Sequence, residues 1–174
     1  MAPAPPSRGP VSAGDPFLAT DAEIAAELGD LLARQVLAKP GHFAPPEPPL
    51  VAATFVDDNG KLGGLCTMDL TLAASLGAAL TMAPPAAVND AIRARALPEL
   101  LAENVGEVFN IGSRWFMTRE SAPHVRLRKV YQVELPENLL KIIASAPRRR
   151  FAKLEIAGYA GGVLALYAPP ISRS

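Results

Sequence analysis

The stretch LPELLAENVGEVFNIGSRWF, residues 97–116, decides how the rest of the chain is read. Pro98 suits a first helical turn, because its missing N–H is one that a helix start leaves unbonded, and Glu99 meets the positive end of the helix dipole. Leu101, Val105, Val108 and Gly112 recur at helical spacing with Phe109 beside them, which predicts one buried stripe. Opposite runs a polar stripe of Glu99, Glu103, Glu107, Asn110 and Arg114. Three residues apart, Glu107 and Asn110 lie one above the other on such a helix. A carboxylate and an amide so placed can hold a cation with one arm and a water molecule with the other, since an amide both donates and accepts. Asn is a poor helix former, because its side chain competes for the backbone. Acids at four-residue spacing repel one another mildly and suit a basic partner. The stripe also fits a solvated face on which Glu107 or Asn110 pairs with Arg114, and spacing leaves both readings open.

Elements on either side follow from the same patterns. Thr20 and Glu23 form a capping box, and Ile24, Leu28, Leu31, Leu32 and Val36 fall at helical spacing before Pro40 stops the run. Residues 50–56 and 61–69 read as two strands around Asp58-Asn59-Gly60, whose Asn and Gly tolerate the positive φ of a tight turn. Asp69 or Thr71 can cap an Ala- and Leu-rich helix over 72–82, which Pro84 and Pro85 end. A short helix spans 86–95. Residues 124–135 alternate as a long strand with Lys129 the exception, and 136–146 form a helix with Leu139, Leu140 and Ile143 inward. Two strands, 151–157 and 162–167, close the chain around a Gly-rich turn. Hairpins toward both ends imply an α+β fold, a largely antiparallel sheet covered by helices.

The bulk properties agree. The chain has 174 residues, 49% hydrophobic and 20% charged, enough for one domain with a substantial core over about 17–170. Residues 1–16, rich in Pro, Ala, Gly and Ser, offer little to bury and read as a disordered tail without a signal-peptide pattern. Lys plus Arg number 17, as do Asp plus Glu, and this balance weakens any nucleic-acid reading, which needs a basic surplus. The longest weakly polar stretch, 70–87, is too short and too interrupted to span a bilayer. Cys66 is the only cysteine, so no internal disulfide forms, and a cytoplasmic protein is the expectation.

Other chemistry finds little support. His42, His124 and Cys66 have no metal-ligand spacing, and Cys66 sits in an apolar strand where a thiol is inert. No GxSxG turn exists. Gly60–Gly64 and Gly158–Gly162 read as hairpin turns, because neither joins a strand to a helix in phosphate-cradling order. The basic runs, Arg148-Arg149-Arg150 with Lys153 and Arg126, Arg128, Lys129, fit charged strand edges that discourage pairing, or a phosphate or acidic contact.

The text Glu107-Val-Phe-Asn110-Ile111 resembles the Glu-x-x-Asn motif of the CheC/CheX chemotaxis phosphatases, and the order of elements over about 50–168 is similar to theirs. One such motif points to the CheX-like branch. The resemblance implies dephosphorylation of a CheY-like response-regulator receiver domain in two-component signalling. Asn110 would position the attacking water and Glu107 would pair with the receiver's active-site lysine. The chain would need no cofactor of its own, since the receiver brings the phosphate and Mg²⁺. Three departures stand out. Glu103 occupies a position where the two-motif branch has Asp or Ser. Gly112 is followed by Arg114, Trp115 and Phe116 where the family tends to small residues, which places two aromatics near the docking face. The first helix offers only Glu27-Leu-Gly-Asp30, without the Asn of a second centre. The fold also serves motor-switch proteins, so a non-catalytic interaction domain is the alternative. Free strand edges in such a sheet invite a homodimer.

Overall fold

A computed structural model describes residues 17–120 and 122–170; the tail expected over 1–16 lies outside the described residues. The chain begins with α1, Asp21–Leu32, whose capping box is closed in both directions: Thr20 Oγ1 accepts from the Glu23 N–H at 3.2 Å and Glu23 Oε2 from the Thr20 N–H at 2.7 Å. Val36 does not extend this helix. Ala33 turns left-handed at φ 49°, and Val36 opens a short strand, β1, Val36–Ala38. No glycine marks the stop, so the helical spacing runs on past it in the sequence.

Strands β2 (Leu50–Val56) and β3 (Leu62–Asp69) pair around the expected turn. Asp57 Oδ1 accepts from the N–H groups of Asn59 and Lys61, each at 2.9 Å, and Gly60 supplies φ 79°. Asp69 then ends β3 and caps α2, Leu70–Leu80. One carboxylate oxygen accepts from the Leu72 N–H and the other from the Val163 N–H, both at 2.8 Å. Burial pushes this carboxyl above its usual range, while those two backbone donors pull it back down.

Next come α3 (Ala86–Ala94), α4 (Glu99–Gly112), a 3₁₀ turn over Ser113–Phe116, β4 (Arg126–Val133), α5 (Glu137–Ser145), β5 (Arg148–Ile156) and β6 (Gly162–Ala168). The six strands form one sheet in the order β1-β5-β6-β3-β2-β4, with every pairing antiparallel. The two hairpins stand side by side through β3 and β6, and each is extended outward by one edge strand. The expected α+β fold is therefore the observed one.

Alternate side chains of the strands feed two cores. Val51, Ala53, Phe55, Cys66, Met68, Leu154, Leu164 and Leu166 point to the large core under α1 to α4. Ala52, Leu65, Ala165 and Tyr167 point to a smaller one under α5. Strand β4 changes face through a bulge: Thr54 pairs with Lys129 but Phe55 with Leu127, so Arg128 is an extra residue. Leu127 and Val130 therefore meet the large core and Tyr131 the small one, which explains the break at Lys129. On α5, Leu139 is buried with Ile142 and Ile143 beside it, but the expected inward Leu140 is 49% exposed. Arg126 to Lys129 lie on the outer strand β4, and Arg148 to Lys153 on the part of β5 that β1 does not reach.

Helix α2 is the keystone of the large core. Leu72 to Ala79 are all buried, between the sheet and α4. A Cβ on Gly77 would lie 2.8 Å from the Leu101 carbonyl oxygen, so glycine is what lets the two helices approach. We predict that Gly77→Ala lowers the unfolding free energy by about 1–3 kcal/mol, by forcing the helices apart; urea denaturation checks this.

Candidate functional site

Helix α4 presents its polar stripe outward, as its periodicity requires. Leu101, Val105, Val108, Phe109 and Gly112 are buried, whereas Glu99, Glu103, Glu107, Asn110 and Arg114 are exposed. Glu107 and Asn110 thus share one solvent-facing patch. Among the described residues neither side chain makes a hydrogen bond or an ion pair, and Arg114 pairs with neither. The intrahelical pairing that the spacing allowed is absent, and the amide is left with its donors and acceptor available. Nothing among the described residues covers this stripe. The 520 Å³ cavity between the Pro-rich segment 43–49 and the start of α2 includes no residue of α4.

Long-range contacts hold that face still, and sequence spacing did not reveal them. Asn104, only 8% exposed, donates its amide N–H groups to the Gly77 carbonyl at 2.8 Å and to Thr81 Oγ1 at 3.1 Å. This is a polar clasp inside an apolar interface, and it fixes the rotation of α4 about its axis. The available signal was position: Asn104 falls on the apolar stripe, between Leu101 and Val105, where an amide must find partners. The 3₁₀ turn anchors the other end. Trp115 and Phe116, expected near the docking face, are instead buried at 1% and 6% exposure. Phe116 lies against Gly64 and stacks at a tilt on Phe55, with ring centroids 5.1 Å apart. Trp115 Nε1 donates to Glu27 Oε2 on α1 at 2.9 Å. Only Arg114 of the three residues stays on the surface. Glu27, the acid of the first-helix segment, is committed to this indole.

The remaining candidates are not brought together. Cys66 is fully buried in β3, and burial pushes its thiol well above the ordinary range. His42 lies in the loop before β2, and His124 stands 3.7 Å from Asp58 at the far edge of the sheet. Among the described residues, no group of three His, Cys, Asp or Glu side chains is placed to hold a metal ion. Among those residues, no helix is long and apolar enough to cross a membrane.

Comparison with solved structures places this arrangement. The FliM middle domain from H. pylori superposes with a TM-score of 0.57 at 9% identity, covering 86% of this chain and 84% of that one. CheX in the CheX–CheY–BeF₃–Mg²⁺ complex from Borrelia burgdorferi gives 0.54 at 15% identity, over 85% of this chain and 94% of that one. The chain has the fold of CheX and the FliM middle domain. FliM in the FliM–SpeE complex from H. pylori is similar too, at 0.53 and 10% identity over 84% and 80% of the two chains. No protein-family model and no curated protein matches the sequence. At these identities the likeness is one of fold, and it bears out the architecture that the Glu-x-x-Asn resemblance implied. In this CheX/FliM-type fold, α4 is the helix that carries Glu107 and Asn110.

The anchoring and presenting residues of α4 should separate by stability. Asn104→Ala strands the Gly77 carbonyl and the Thr81 hydroxyl and should cost about 1–3 kcal/mol. Glu107→Ala and Asn110→Ala remove exposed, unpartnered groups and should stay within about 0.5 kcal/mol of the parent. Thermal melts of the three variants check this.

Proposed function

We propose that this chain is a phosphatase acting on the aspartyl phosphate of a response-regulator receiver domain of the chemotaxis or motor-switch kind. One observation carries the reading: an unpartnered acid and amide, adjacent on a firmly anchored helix, face solvent in a CheX/FliM-type fold. Asn110 orients a water molecule with its amide, donating to one side and accepting from the other, in line with the phosphorus. Glu107 receives the receiver's active-site lysine and sets the relative orientation of the two proteins. The receiver supplies phosphate and Mg²⁺, so this chain contributes position rather than covalent chemistry. A CheX neighbour solved with CheY, BeF₃ and Mg²⁺ supports that division of labour.

The fold likeness to FliM middle domains favours a second reading, a non-catalytic platform that binds a protein partner of the same kind. Phosphate release from purified, phosphorylated receivers of the same genome separates the two. The phosphatase reading expects the chain to accelerate release from a cognate receiver, and Asn110→Ala to reduce that acceleration on the order of 10²-fold. Glu107→Ala should act mainly by raising KM. A parent chain that leaves every receiver's phosphate untouched, yet binds one equally with and without phosphate, establishes the platform instead.

A further inference from the structure

Four glycines lie inside helices among the described residues: Gly29, Gly77, Gly106 and Gly112. A helical glycine is costly, because it fixes the most flexible backbone without adding a side chain to pack. For three of them the fold itself gives the reason. A Cβ on Gly77 would meet the Leu101 carbonyl oxygen at 2.8 Å, one on Gly112 the Trp115 ring at 2.9 Å, and one on Gly29 the Arg34 carbonyl oxygen at 3.2 Å. A Cβ on Gly106 would meet nothing within 4 Å. Gly106 sits in mid-helix, next to Glu107 and one turn before Asn110. Nothing among the described residues needs the space it leaves.

Asn110 poses the same puzzle. Its side chain also disfavours a helix interior and finds no partner among the described residues. Two ill-suited residues one turn apart, both unexplained from inside, share a patch with the unpaired Glu107. Nothing among the described residues offsets their cost. We infer that Gly106 is the point of closest approach for the docked receiver: the bare backbone there forms a notch that admits the receiver surface around its phosphoaspartate, and a side chain in the notch holds that surface away from Asn110. This rests on the phosphatase reading and makes Gly106 a specificity-determining position of the same site.

The notch predicts opposite signs for stability and activity, which a packing role would not produce. Gly106→Ala should raise the melting temperature by about 2–4 °C, because alanine is the better helix former and meets no neighbour. Its kcat/KM for phosphate release from the cognate receiver should nevertheless fall on the order of 10-fold. Gly106→Leu, also expected to fold, should lose on the order of 10²-fold and fail to retain the receiver loaded with BeF₃ and Mg²⁺. An active parent with an equally active Gly106→Leu overturns the notch and leaves the phosphatase reading standing. So does a lowered melting temperature for Gly106→Ala, since the fold itself would then require the glycine. A parent that neither binds nor dephosphorylates any receiver of its genome overturns the phosphatase reading and the notch with it.

Discussion

The structure depends on how closely α4 can lie on α2. Helix α2 is made of Ala, Leu, Ser, Thr and Gly, and it is buried toward both the sheet and its neighbouring helices. That burial leaves it no freedom to shift. Gly77 brings the backbone of α4 within van der Waals reach, and the Asn104 amide grips the carbonyl that this approach exposes. Apolar burial supplies most of the drive but is indifferent to rotation about a helix axis. The hydrogen bonds to the Gly77 carbonyl and Thr81 hydroxyl are directional and supply what burial lacks. Glu107 and Asn110 inherit their common aim from this contact, one turn and nearly two turns away.

Asp69 performs a related task at the other end of α2. Its two oxygens answer one N–H from the helix start and one from β6, so the first turn of α2 is tied to two central strands at once. A group that accepts from two elements and lies in a third transmits any displacement of one to the others. The platform beneath α4 is therefore tied at both ends, which suits the positioning role proposed for Glu107 and Asn110.

Local chemistry was legible in the sequence. The capping box at Thr20 and Glu23, the Asn-Gly turn and the Asp69 cap each act within a few residues, and each appears where it was read. The exposed face of α4, with Glu107 and Asn110, was legible for the same reason, because helical periodicity is itself local. What escaped depended on distant partners. Val36 pairs with Ile156 on β5, so its helical spacing was coincidental. The extra residue at Arg128 is defined only against β2, and without it Lys129 stood as an unexplained exception in the alternation of β4. Trp115 and Phe116 looked like surface obstacles until the turn after α4 folded them back onto Glu27, Gly64 and Phe55. Asn104 was passed over because an amide on an apolar stripe has no meaning until its acceptors on α2 are known.

The bond between Trp115 and Glu27 has a consequence for the first helix. In a fold built from two similar hairpins, α1 is the natural place for a duplicate of the α4 patch. Here its acid is already spent inside the molecule, holding an indole that would otherwise be buried with an unanswered N–H. Releasing Glu27 to greet a visitor would loosen the turn that steadies α4. The first helix thus serves α4 from within, as a strut beneath its last turn rather than as a second presenting face.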